Sequence, residues 1–284
     1  MNVTAFMRST VSRAGVATLA IGVLLSLPSC APAREKAAND AAPAAPVDEA
    51  ARLSEETKAN PGDAELQYRL GNALFDKGLY RDAAAAYQQA LALRPEYAAA
   101  HCNLGLSLRR LGQLPEAIQS YRRALRYEPD DPVTLRNLAA AEREAGNVAG
   151  AIEHLRRLTE LAPEDVLVRS ELANLLFQLR QYPEAAESFK EVIRLDPGMS
   201  SDYYNLGLCY LEMDNLDSAL TTWLTALAYD PNNASARKGL AVAYWRRGDY
   251  DQAWQSVVEC QTRGIPLDPE FMDKLRTDSG RVGP

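Results

Sequence analysis

The sequence predicts an all-α solenoid of six 34-residue helix-turn-helix units, preceded by a half-unit and closed by a C-terminal capping helix. Three observations predict it. Prolines recur at Pro61, Pro95, Pro129, Pro163, Pro197 and Pro231, each 34 residues after the last, and a fixed period of that length marks stacked supersecondary units. Counted from three residues after each proline, position 7 is Leu in all six units, from Leu70 to Leu240, and position 20 is Ala in all six, from Ala83 to Ala253. Position 8 is always Gly or Ala, while position 24 is apolar: Tyr87, Tyr121, Leu155, Phe189, Trp223 and Val257. Small residues at 8 and 20 let two helices approach, and the side chain at 24 fills the space between them.

Composition sets outer limits. The chain has 284 residues, 47% hydrophobic and 24% charged, enough to bury a sizeable core. Its formal charge is −7, and removing residues 1–29, which carry Arg8 and Arg13 and no acid, leaves −9. An acidic chain is a poor nucleic-acid binder, because that affinity comes from Lys and Arg releasing counterions. Two histidines, His101 and His154, sit in different units, so no metal site is expected.

Residues 1–13 carry two arginines and no acid, and Ala14–Leu27 is fourteen residues without a charge. A membrane-spanning helix needs about 20 apolar residues, so this pattern reads as an export signal, over 1–29. Leu27-Pro28-Ser29-Cys30 follows. It resembles the lipobox of bacterial lipoproteins, which implies lipidation of Cys30; Pro28 departs from the pattern. The alternative is simple secretion, with cleavage after Ala31 or Ala33. Residue Ala31 resembles the sorting position of outer-membrane lipoproteins, which implies the periplasmic face of that membrane. Residues 30–46, rich in Ala and Pro, read as a disordered tether reaching on the order of 50 Å at ~3.1 Å per residue.

Residues 47–63 look like a lone second helix, with Leu53 at its position 24. The units follow at 64–97, 98–131, 132–165, 166–199, 200–233 and 234–267. Each holds two apolar-periodic stretches of about fourteen residues. A break near positions 15–17 separates them, as at Lys77-Gly78-Leu79, where Gly supplies a left-handed cap. The proline at position 32 ends the second helix, and Asp or Asn after it starts the next. Departures are Glu142 at an apolar position, Arg180 and Asp214 in place of the turn Gly, and Ile265-Pro266, one residue late. Residues 268–284 read as a cap-plus-Pro helix, with Phe271, Met272 and Leu275 on one face, and a tail frayed from 277.

The 34-residue pattern resembles the tetratricopeptide repeat (TPR) family, over 204 of 284 residues as six units of 34. The resemblance implies a right-handed superhelix and a protein-binding role. In that family positions 2, 5, 9, 12 and 13 of the first helix line the concave groove. Carried over, they put Arg109, Arg110, Arg136 and Arg143 in the second and third units. In the fourth to sixth they put Phe177, Tyr204, Leu208, Leu211 and Trp245, with Lys238 and Arg246. The competing reading is that Glu128, Glu142 or Glu144 take up the arginines. Asn72 with Asn103, and Asn174 with Asn205, resemble the asparagines of carboxylate-clamp TPR domains. The lysines of that clamp are absent, at Tyr68, Val133, Ser170 and Ser235, so no clamp is expected; the asparagines are left to bond a peptide backbone.

No phosphate loop, nucleophile elbow, HExxH or CxxC occurs, so no enzyme, catalytic residue, cofactor or metal is expected. Glu116, Glu184 and Asp251 recur where second helices begin, where acids stabilise helix N-termini. Cys260 reads as a small buried residue, unpaired with Cys209. The function expected is a lipid-anchored adaptor in assembly of a cell-envelope complex, with protein partners in the groove and the membrane held through Cys30. Its plan is similar to pilotin lipoproteins of type IV pilus secretins. The alternatives are an adaptor for a periplasmic protease or cell-wall enzyme, and a peptidoglycan- or glycan-associated module using Tyr204 with Asn174 and Asn205.

Overall fold

A computed structural model describes residues 48–283. Among them are fourteen α-helices and no strand. Helix α1 (Glu49–Ala59) stands alone, followed by the hairpins α2 (Ala64–Asp76) with α3 (Tyr80–Leu93), α4 (Ala98–Arg110) with α5 (Leu114–Tyr127), and α6 (Pro132–Glu144) with α7 (Val148–Leu161). Then come α8 (Val166–Gln178) with α9 (Tyr182–Leu195), α10 (Ser200–Glu212) with α11 (Leu216–Tyr229), α12 (Ala234–Arg247) with α13 (Tyr250–Thr262), and lastly α14 (Pro269–Ser279). Packing divides them into two units, α1–α7 up to Pro163 and α8–α14 from Glu164. Inside each, every helix packs on the next, and the first helices α2 and α4, α4 and α6, and α10 and α12 also touch. The expected lipidation residue Cys30, with the expected leader and tether, lies outside the described residues.

Sequence chemistry starts and stops these helices. The backbone N–H of Glu65 donates to Asp63 Oδ1 (2.9 Å), that of Val168 to Asp165 Oδ1 (3.0 Å), and that of Ala236 to Asn233 Oδ1 (2.9 Å). Each such cap contributes about 1 kcal/mol. The turn inside each hairpin needs one left-handed residue, supplied by Gly78 at φ 76° and Gly248 at φ 86°. Arg180 (φ 62°) and Asp214 (φ 60°) adopt the same conformation without being glycine. The hairpin closure wins over the local strain: Gln181 N–H still donates to Leu176 O (2.9 Å), as Leu79 N–H does to Leu74 O (3.0 Å).

The core is the position 20 and position 24 set. All six position-20 alanines are fully buried, and so are Tyr121, Leu155, Phe189, Trp223 and Val257. A Cβ on Gly71 would sit 2.5 Å from the Tyr87 ring, and one on Gly105 2.8 Å from that of Tyr121. Trp223 needs room on two sides, against Gly207 of its own hairpin and Gly239 of the next. Glu142, at its apolar position, is 2% exposed and satisfied: Arg122 and Asn147 Nδ2 each donate to it at 2.6 Å. Helix α14 buries Phe271, Met272 and Leu275, and runs to Ser279 before a left-handed Gly280, further than the expected fraying point.

Candidate partner-binding face

In the α1–α7 unit the carried-over positions divide by what their neighbours do to them. Asn72 is a hub: its Oδ1 accepts from Tyr87 OH (2.8 Å) and from Asn103 Nδ2 (2.9 Å), which also donates to Tyr68 OH (3.2 Å). Asn103 is 2% exposed. The expectation that this pair faces a peptide is corrected: the two amides satisfy buried tyrosines, because a buried hydroxyl without a partner costs about 1–3 kcal/mol. Burial pushes the Tyr68 hydroxyl above its ordinary pKa.

Arg109 is likewise corrected. Its guanidinium grips Glu144 with two donors, one at 2.9 Å from Nε, and its side chain is only 11% exposed. That ion pair holds the Glu144 carboxyl below its usual range. Of the remaining arginines, Arg110 and Arg143 are exposed and Arg136 is half-buried.

In the α8–α14 unit, Leu208 and Leu211 are core residues, 5% and 0% exposed, not groove surface. They sit there because α11 and α12 close over the face of α10 that positions 9 and 12 occupy. Trp245 is covered by the last helix, its Nε1 donating to Asp278 Oδ2 (2.8 Å) and its ring meeting Phe271 edge-on at 5.8 Å. Arg246 is spent on Leu211 O (2.9 Å) and Asp214 (2.7 Å). Tyr204 is half-buried, its ring stacked on Trp223 at 6.3 Å, and burial pushes its hydroxyl up to about 12.

Accessible surface survives on α8. Asn174 is exposed, with its Nδ2 on Ser170 O (2.9 Å), and half-buried Phe177 meets Tyr182 at 5.3 Å. Leu167, 73% exposed, was missed, although it occupies position 2 of its unit, one of the five groove positions. Leu167, Ser170, Asn174 and Phe177 follow 3-4-3 spacing and so form one stripe. Asn205 and Lys238, half-buried, lie on α10 and α12.

Nothing else among the described residues gathers reactive groups. No three His, Cys, Asp or Glu there could hold a metal ion. Cys209 and Cys260 are free and buried, and burial pushes their thiols up to about 12 and about 11. No described helix is long and apolar enough to cross a membrane.

A tetratricopeptide repeat family model matches residues 68–132, 136–200 and 204–257. Over 99 residues the chain is 28% identical to the general transcriptional corepressor ssn6 of Schizosaccharomyces pombe, covering 34% of this chain and 9% of that one. Over 108 residues it is 30% identical to the Hsp70-Hsp90 organizing protein 3 of Arabidopsis thaliana, covering 36% and 18%. The match therefore spans less than a fifth of these relatives. Among solved structures, YrrB, described as a TPR protein with an unusual peptide-binding site, aligns with TM-score 0.58 at 24% identity over 66% of this chain and 96% of its own. The C-terminal part of a TPR repeat-containing protein from Cytophaga hutchinsonii aligns with TM-score 0.61 at 17% identity over 80% and 95%. At these identities the likeness is one of fold.

Proposed function

The chain belongs to the tetratricopeptide repeat family, and from that membership we propose that it is a non-enzymatic adaptor held at a bacterial membrane through a lipidated Cys30. Its first-helix faces take an extended segment of a partner in the assembly of a cell-envelope complex, a pilus secretin being the first candidate. The observation that carries the reading is which groove positions reach the surface. Arg110, Arg136 and Arg143 give the α1–α7 unit a basic stretch, and Leu167, Asn174 and Phe177 give α8 an apolar stripe with an amide in it. Arginine and aromatic side chains supply much of the energy at interfaces. The accessible amides, Asn174 and Asn205, suit the backbone of an extended segment.

The ion pair at Arg109 decides which variant tests the basic stretch. Arg109→Glu would press two acids together and confound binding with stability. Arg110→Glu with Arg143→Glu leaves that pair intact. Crosslinked capture from native membranes, read by mass spectrometry, is expected to enrich a secretin, a protease or cell-wall synthases with the wild type and to lose them with the double variant, helicity being unchanged. Capture indifferent to the variant would sink the basic stretch as the contact, and saturable binding to purified sacculi would put a glycan-associated module in its place. The anchor has its own check: Cys30→Ala should leave the membrane fraction and lose palmitate labelling.

A further inference from the structure

We propose that the solvent face of α11 is a second docking surface, for an amphipathic helix of a partner whose apolar seam is flanked by basic residues at its N-terminal end. After Asp217, α11 runs to its last residue without a charge. Thr221, Leu224 and Ala228 are exposed and repeat at 3 and 4 residues, the spacing with which one helix seats against another. Leu224 and the adjoining Tyr229 are each 51% exposed. The threonines give their hydroxyl protons to their own helix. Thr221 Oγ1 donates to Asp217 O (2.9 Å), Thr222 Oγ1 to Ser218 O (2.7 Å) and Thr225 Oγ1 to Thr221 O (2.9 Å). With the hydroxyls turned back on their own helix, a seam covering it strips water chiefly from hydrocarbon.

Charge selects and orients the occupant. The hairpin 200–233 holds Asp202, Glu212, Asp214, Asp217 and Asp230 and no Lys or Arg. Asp214 and Asp217 are paired with Arg246 and Arg247. Asp230, whose Oδ1 accepts from Asn232 N–H (2.9 Å), stands at the C-terminal end of α11, where the last carbonyls add partial negative charge. A partner helix laid antiparallel brings its positive N-terminal end there, and basic residues on that end complete the match. A second copy of this chain is the weaker occupant, because its own 200–233 hairpin, with five acids and no Lys or Arg, would bring acid against acid.

The test uses a fluorescein-labelled synthetic helix of about three heptads, with a Leu/Ala seam and Lys in its first turn, titrated against the full chain. Saturable binding is expected, weakened about tenfold or more by Leu224→Lys and untouched by Arg110→Glu with Arg143→Glu. Replacing the probe's first-turn Lys by Glu should weaken it as well. Binding that ignores Leu224→Lys, or ignores the probe's charge, overturns the proposal. So does a dimer in sedimentation that Leu224→Lys dissolves, since the face would then belong to a second copy. Leu224 is exposed, so the variant keeps its core, and circular dichroism checks this.

Discussion

Asp202, in the first turn of α10, is 6% exposed, and burial, with Asp196 nearby, pushes its carboxyl up from 3.8 to about 6. A helix N-terminus favours a carboxylate there, but desolvation wins. The folded pKa is raised, so the fold prefers the protonated acid. Stability from this group is fully present below about pH 3.8 and is lost as pH rises through about 6. At about 1.4 kcal/mol per unit the ionised acid costs at most about 3 kcal/mol. Asp202→Asn should therefore raise the melting temperature at pH 7, with the gain shrinking toward pH 4. A gain equal at both pH values would remove ionisation as its cause. The left-handed turn residues give a second expectation at this scale. Arg180→Gly should stabilise by about 1 kcal/mol, and Asp214→Gly by less, since Asp tolerates that conformation better and its pairing with Arg246 is lost. Urea melts of the two variants make the comparison.

At the scale of the element, α14 closes the second unit with few residues. Three apolar side chains go inward, and two tryptophans of the preceding hairpin are tied to it: Trp245 to Asp278, and Trp254 through Nε1 to Ser279 Oγ (3.1 Å). Phe271→Ala should cost about 3–5 kcal/mol of local stability. The signs would be a red shift of tryptophan emission and faster amide exchange confined to α14. Unchanged exchange there would mean that the tryptophan bonds hold the helix unaided. The gap between groove position and groove surface is clearest on the first helices. Position 12 carries Arg109 on α4 and Leu211 on α10: one is locked to Glu144 of the next hairpin, the other closed over by its own and the following hairpin.

At the scale of the whole molecule, the architecture was legible because it is written in spacing. Leu at 7, Ala at 20 and the filler at 24 each report a local packing demand repeated six times, so errors in one unit are corrected by the others. The accessible surface was not legible in the same way. The Arg109–Glu144 pair joins residues 35 apart, and Tyr87, Asn72 and Asn103 form a network across 31 residues of chain. Those partners lie outside the i,i+3 and i,i+4 offsets that charge patterning inspects. Leu167 could have been found, since its position alone marked it. Arg110 and Arg143 are exposed, as groove positions require, whereas Arg109 is held by Glu144.

The contact of Tyr87 with Asn72 and Asn103 also fixes how this molecule can change length. Tyr121 holds the same place in its hairpin as Tyr87, so a tandem duplication of residues 98–131 sets Tyr121 of the first copy against Asn103 of the second, a pairing of types the chain already uses. The other joints keep their present partners, while at the new one the first copy's Arg109 and Arg122 lose Glu144 and Glu142, and the second copy's Asn103 loses Asn72 and Tyr68. The duplicated chain should stay soluble and gain helical signal in proportion to the 13 and 14 residues of α4 and α5. An insertion one residue longer or shorter turns every later side chain by about 100° at the junction and should aggregate. Growth by recombination is thus quantised, and 34 residues is the smallest step that this lineage could take without refolding its neighbours.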